Sequence, residues 1–229
     1  MEILDAGPVS FDLDELLPRL HVAPGSEDAA MLAELAARAR AVARPKALLD
    51  VCYVEGRGPD SVTIGGITFT SRVLAVNLQQ AHRIFAYVAT CGVELDTLAN
   101  QVHDPLQRFW MEEMKIIALG AASARLRQHI DATYQPGPLS AMNPGSLQDW
   151  PITQQTQLFA LLGGMEEAIG VRLTDSFLMV PNKSISGIYF PSEVSFQSCR
   201  LCPREVCPGR QAPYDPSLWK ERYGVRQPR

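Results

Sequence analysis

Leu178-Met179-Val180-Pro181-Asn182-Lys183-Ser184-Ile185-Ser186-Gly187-Ile188-Tyr189-Phe190-Pro191 decides how this chain is read as a fold. Residues 173–179 read as a strand, 181–184 as a loop and 186–190 as another strand, with Gly187 marking a close crossing. Strands this near in sequence do not alternate strictly with helices. The expectation is therefore α+β, with an antiparallel or mixed sheet and flanking helices, not a doubly wound parallel sheet.

Working outward, residues 142–210 are dense in Gly, Pro, Ser and Cys while still carrying apolar anchors, the composition of loops that serve a site or a tight crossing. Upstream, Thr153 is placed to cap a helix reaching Ile169, with Gly170 as its left-handed terminator. Residues 134–151 contain Pro136, Pro138, Pro144 and Pro151 and read as loop. Asp104-Pro105 starts a long helix running to about residue 133. Residues 93–102 read as a short helix and 83–91 as a buried strand ended by Gly92. Ser71 caps a helix over 72–80, and Gly65-Gly66 joins two short strands, 61–64 and 67–70, as a hairpin turn. Residues 47–54 form an apolar strand, and Ser26 caps an amphipathic helix that Pro45 stops. Residues 1–25, punctuated by Pro8, Pro18, Pro24 and Gly25, read as an irregular or loosely docked arm, with Phe11, Leu13, Leu16 and Leu17 as the residues that would dock it. At the far end, Tyr214, Trp219 and Tyr223 are the candidate anchors of a polar tail. The corresponding division is 1–45 (arm and helix), 46–195 (core) and 196–229 (cysteine-containing tail).

The 229 residues carry a net charge of −4, which argues against a general nucleic-acid binder. No apolar run suffices to cross a bilayer, and the acidic N-terminus is unlike a signal peptide, so a cytoplasmic protein with neither nucleic-acid nor membrane partners is expected. No GxGxxG, GxxxxGK[ST] or GxSxG motif occurs, which removes the strongest support for common nucleotide-binding and hydrolase readings.

Cys199, Cys202 and Cys207 have the spacing C-x2-C-x4-C. Thiolates converging from a tight loop suit zinc or an iron–sulfur cluster, which normally need a fourth ligand. Cys91, beside Gly92, is the preferred fourth ligand and Cys52 the other candidate. A redox disulfide between Cys199 and Cys202, or unimportant reduced thiols, are the competing readings.

Leu173-Thr174-Asp175-Ser176-Phe177-Leu178-Met179, then Pro181, then Ser184-Ile185-Ser186-Gly187-Ile188-Tyr189-Phe190, resembles the activation (reactivation) domain of cobalamin-dependent methionine synthase. That family carries L-T-E-S-x-x-M-x-P followed by S-V-S-G-x-Y-F, and Pro144-Gly145 resembles the end of its R-P-x-P-G-Y loop. The resemblance implies an α+β fold with a bent antiparallel sheet and an S-adenosylmethionine groove formed by Pro144, Gly145, Ser146, Ser184, Ser186, Gly187 and Tyr189. It also implies reductive methylation of cob(II)alamin carried on a partner, either a corrinoid methyltransferase or a methionine synthase lacking its own activation domain, with an electron-transfer protein as donor. The family's loop arginine falls on Ala141 and its loop tyrosine on Ser146; Arg172, Lys183 or a backbone nest are the candidate replacements for the arginine. The cobalamin pattern D-x-H-x-x-G is absent, and the cysteine tail is an addition to the family pattern, so a free-standing form is expected. A non-catalytic corrinoid-protein binding or chaperone module is the alternative. From the residues alone, Tyr189 reads as a strand aromatic packing the sheet.

Overall fold

A computed structural model describes residues 1–193, 196–207 and 210–224. Its centre is β5 (Arg83–Thr90), seven of whose eight residues are buried. On one side β5 pairs with β2 (Lys46–Arg57), and on the other with β9 (Ser184–Pro191). Beyond β2 lie β3 (Ser61–Ile64) and β4 (Ile67–Thr70); beyond β9 lies β6 (Leu139–Met142). With β1 (Glu2–Asp5), which also pairs with β2, this makes a seven-stranded sheet in which every pairing is antiparallel. The α+β architecture with an antiparallel sheet is as the sequence implies. β2 hands over from β5 to β3 through a register shift between Val54 and Gly56, the kind of bulge that bends a strand.

Alternation along the strands splits the core. Phe85, Tyr87 and Ala89 share one face with Ala47 and Leu49, covered by α5 (Pro105–Tyr134) through Ala122, Leu126 and Ile130. Ile84, Ala86 and Val88 face the other way with Leu48, Ile188 and Phe190. Covering that second face are α3 (Arg72–Asn77), α6 (Gln155–Leu162), α7 (Met165–Ile169) and α8 (Leu218–Tyr223), which contributes buried Trp219 and Tyr223. A further apolar cluster joins the first half of α5 to α1 (Leu13–Arg19), α2 (Glu27–Val42) and α4 (Val93–Gln101).

The expected caps form: Ser26 accepts from Ala29 N, Ser71 from Leu74 N and Asp104 from Gln107 N. Four expectations need correction. Residues 1–25 are not an irregular arm but supply β1 and α1, with Asp12 as cap. The proline-rich stretch 134–151 contains β6, a four-residue edge strand whose Ser140 hydroxyl accepts from Phe196 N. The helix expected over 153–169 is broken at Gly163 and Gly164, both with positive φ, and Thr153 lies within a 3-10 turn (Ile152–Gln154) rather than capping the helix. Residues 173–179 form not one strand but a small hairpin, β7 (Arg172–Leu173) with β8 (Met179–Val180).

Phe85 is fully buried, with its ring 5.2 Å from that of Tyr134, whereas Tyr53, on the neighbouring strand, is 62% exposed. Phe85→Ala is expected to cost about 3–5 kcal/mol in urea unfolding, and Tyr53→Ala no more than about 0.5 kcal/mol. Equal effects would contradict this layering.

Candidate functional site

The site begins where β6 ends. Asn143 follows the last β6 residue and turns its amide back over Gly187 of β9, donating to Ser186 O at 2.6 Å and to Tyr87 Oη at 2.9 Å. A Cβ at Gly187 would stand 2.4 Å from Asn143 Nδ2 and 2.5 Å from Met142 O, so the crossing requires glycine.

From Asn143 the chain makes a compact loop closed by Gly145 N to Trp150 O (2.8 Å) and Ser146 N to Asn143 O (3.2 Å). Its base is fixed. Trp150 is buried edge-on to Phe69. The Asp149 carboxylate accepts from Val73 N at 2.9 Å and from the Ser71 hydroxyl, at the start of α3. Gln154 exchanges two hydrogen bonds with the backbone of Thr70. Asp149 and Trp150 thus anchor the loop, whose tip, Gly145 and Ser146, is exposed, as is Gln148.

Opposite the tip lies the β7–β8 turn. Thr174 N donates to Leu178 O (2.8 Å), Leu178 N to Thr174 Oγ1 (3.1 Å), and Phe177 takes a left-handed conformation at φ 62°. The Val180–Pro181 peptide is cis. Between the two segments is a hollow of about 490 Å³. Of the residues expected to form a groove, Pro144, Gly145, Ser146, Ser184 and Ser186 line it, whereas Gly187 does not. Asn143, Ile152, Gln155, Phe177, Leu178, Met179, Asn182 and Ile185 complete it. Tyr189 is not part of this wall: its ring stacks on Tyr87 at 4.6 Å, beneath the Arg127 guanidinium at 5.8 Å, and Tyr87 links it to Asn143. Neither Arg172 nor Lys183 lines the hollow, whose walls carry no cationic side chain among the described residues.

Lys183 instead joins a charge network absent from the sequence reading. Lys115, 2% exposed, bonds Asp96 at 2.7 Å and Glu112 at 2.8 Å; Glu112 also bonds Lys183 at 2.9 Å and Asn182 at 3.1 Å. The network ties the loop preceding β9 to α5, and Cys91 N to Lys183 O (3.0 Å) ties it to the end of β5. Burial opposes ionisation of Glu112, but hydrogen bonds from Lys115, Lys183 and Asn182 outweigh it and hold the carboxyl at about 2. Lys115 follows the pattern of Met111, Met114 and Ala118 along the buried stripe of α5, and a lysine on such a stripe is the signal that points to a buried carboxylate.

The four proposed metal ligands are not brought together. Cys199 and Cys202 belong to the tail that packs over the Ile84–Val88 face of the sheet, whereas Cys91 is buried in the α2–α4–α5 cluster. Burial pushes the Cys91 thiol up to about 12 and that of Cys52 to about 11, the opposite of what a thiolate ligand needs. Among the described residues no group of three or more His, Cys, Asp or Glu side chains is arranged to hold a metal ion, so these residues do not fit a zinc or iron–sulfur centre.

Two outcomes test this construction. Gly187→Ala is expected to lose about 1–3 kcal/mol of stability in urea unfolding, because β6 or Asn143 must move. Glu112 has a depressed pKa in the fold, so its contribution is complete above the ordinary value of 4.5 and is lost as pH falls from there towards about 2. Glu112→Gln should flatten that part of the stability–pH curve and cost about 1 kcal/mol at neutral pH, since the group is partly exposed. An unchanged acid limb would remove Glu112 from the network.

Comparison with known proteins gives the geometry a context. Residues 143–199, about a quarter of the chain, match the family profile described as "Vitamin B12 dependent methionine synthase, activation domain". No curated protein matches the chain. Among solved structures, the crystal structure of the MetH reactivation domain bound to AdoHcy superposes with a TM-score of 0.58. The superposition covers 93% of this chain and 73% of that one at 18% identity, a likeness of fold. No described helix is long and apolar enough to cross a membrane. The chain therefore carries, in the segment that builds the hollow, the activation-domain signature of vitamin B12-dependent methionine synthase, on the fold of the MetH reactivation domain.

Proposed function

We propose that this protein binds S-adenosylmethionine in the hollow between residues 143–146 and 177–186 and serves a corrinoid carried by a partner methyltransferase or methionine synthase. The observation that carries the reading is that both ends of the hollow's wall, Asn143 to Ser146 and Asn182 to Ser186, fall within the segment matched to the activation-domain family. A second feature supports it. Leu178 (56% exposed), Ile152 (38%) and Ile185 (37%) leave large apolar side chains unburied around one concavity, as a site that holds a flat organic group does.

The adenosine portion fits the apolar wall of Phe177, Leu178, Ile152 and Ile185. Asn143, Gln155, Asn182 and the serine hydroxyls are the neutral groups that would orient the polar portions. Bound S-adenosylmethionine supplies an electrophilic methyl group for a reduced corrinoid, with an external electron-transfer protein providing the reduction. The chain's own task is to hold the donor at the open side of the hollow, so that two large reactants meet in one orientation.

The second reading, a corrinoid-protein binding module without a methyl donor, is favoured by one observation. No cationic side chain among the described residues lines the hollow to clamp a carboxylate.

Titration calorimetry with S-adenosylmethionine and S-adenosylhomocysteine, with and without a corrinoid-loaded partner domain, separates the two. Saturable binding is expected, weakened about tenfold or more, on the order of 1.4 kcal/mol, by Leu178→Asp and by Ile185→Asp. Both positions are exposed, so the variants should fold. Absence of binding under both conditions removes the methyl-donor reading; binding unaffected by either variant places the ligand elsewhere.

A further inference from the structure

The cysteine tail has a geometry of its own. Residues Ser198–Leu201 form a 3-10 turn, and Cys202 N donates to Cys199 O at 3.3 Å. Cys202 is the extended residue that closes the turn, so the pair Cys199 and Cys202 stands at its two hydrogen-bonded ends. Their Cα atoms are under about 7 Å apart, overlapping the span of about 4.4–6.8 Å that a disulfide bridges.

The turn does not depend on a cross-link. Arg200 O accepts from Asp215 N (2.8 Å), and Leu201 O accepts from the Trp219 indole (3.2 Å). The Arg210 guanidinium donates to Cys199 O (3.2 Å) and Cys202 O (3.4 Å). All five cysteines are free thiols, and Gln211 N donates to Cys199 Sγ at 3.3 Å.

Cys202 also opens onto a cavity of about 370 Å³, distinct from the hollow described above but sharing the Gly145–Ser146 backbone with it. Its tail side is Leu201, Cys202, Pro203, Arg204 and Trp219, and Leu147 and Gln148 face them. Arg204 is exposed, and it is the one charged side chain among the lining residues.

We propose that Cys199 and Cys202 form a thiol–disulfide exchange pair whose substrate is a small anionic disulfide entering this cavity. The Cys202 sulfur, as thiolate, attacks one sulfur of the incoming disulfide. A mixed disulfide forms and one small thiolate leaves, taking up the proton that Cys202 gave up. The Cys199 sulfur then attacks Cys202, closing the Cys199–Cys202 disulfide and releasing the second small thiol with the proton of Cys199. Two electrons and two protons pass from the pair to the substrate. Arg204 selects for negative charge, and the tail's hydrogen bonds keep the turn in place in both states. None of this depends on what the hollow binds.

The test uses the full chain, reduced and held without oxygen, with glutathione disulfide as probe and with intact mass and peptide mapping as readouts. The expected product has lost two hydrogens and carries a Cys199–Cys202 link. Cys199→Ser should stall with one glutathionyl group on Cys202, and Cys207→Ser should react as the parent does. Arg204→Glu should slow the reaction of glutathione disulfide by about threefold or more but not that of uncharged hydroxyethyl disulfide. A link through Cys207, a glutathionyl group that persists on the parent protein, or equal slowing of both probes by Arg204→Glu would overturn the proposal.

Discussion

The absence of a side chain at Gly187 is the constraint on which the site depends. It lets the Asn143 amide lie against β9 and hydrogen-bond both Ser186 O and Tyr87 Oη. Those bonds fix the point at which β6 gives way to the loop, and so where Gly145 and Ser146 project. β9 pairs with β5 over Ser184–Tyr189 and with β6 over Ile188–Pro191, so Gly187 is backed by β5 and lies one residue before the β6 pairing. The β6–β9 pairing thus sets where the loop leaves the sheet and enters the wall of the hollow.

The end of the opposite wall, at Asn182, is positioned by charge. Lys115 is nearly inaccessible to water and would be costly to bury alone; Asp96 and Glu112 compensate it. Glu112 has acceptor capacity left over, and Lys183 and Asn182 use it. The buried pair therefore does more than satisfy its own charges: its outer carboxylate binds the loop leading into β9. One wall is thus fixed by backbone proximity; of the other, the end at Asn182 is fixed by an ion network and the β7–β8 turn by the Thr174–Leu178 bonds.

Much of this was legible in the sequence, and for identifiable reasons. Ser26, Ser71 and Asp104 are local signals whose meaning does not depend on tertiary context, and each caps the helix expected of it. Gly65-Gly66 and the long apolar run of β5 are similarly self-contained. β1 and β6 escaped because each is only four residues long and owes its existence to a partner distant in sequence: β1 to β2, and β6 to β9. The groove serines and Pro144-Gly145 were found through pattern resemblance, whereas Asn143 and Gln155 belong to no pattern and are defined by where the strands bring them. Tyr189 illustrates the converse. Its position in the motif was clear, but strand parity puts its ring on Tyr87, under Arg127, not in the wall. The cysteine spacing was equally visible, yet spacing along a chain says nothing about which face of a sheet each thiol occupies. Cys91 and the tail lie on different faces.

The loop 143–150 distributes its stiffness unevenly. Asp149, Trp150 and Gln154 hold its base against α3, Phe69 and β4. Asn143 holds its start, and between these points Gly145 and Ser146 are exposed on both sides, to the hollow in front and to the tail cavity behind. The tip is not free between these clamps: Gly145 N and Ser146 N bond Trp150 O and Asn143 O, so it is held within its own turn. The same two residues therefore form a shared partition, lining the front hollow and, with Leu201–Arg204, the rear cavity.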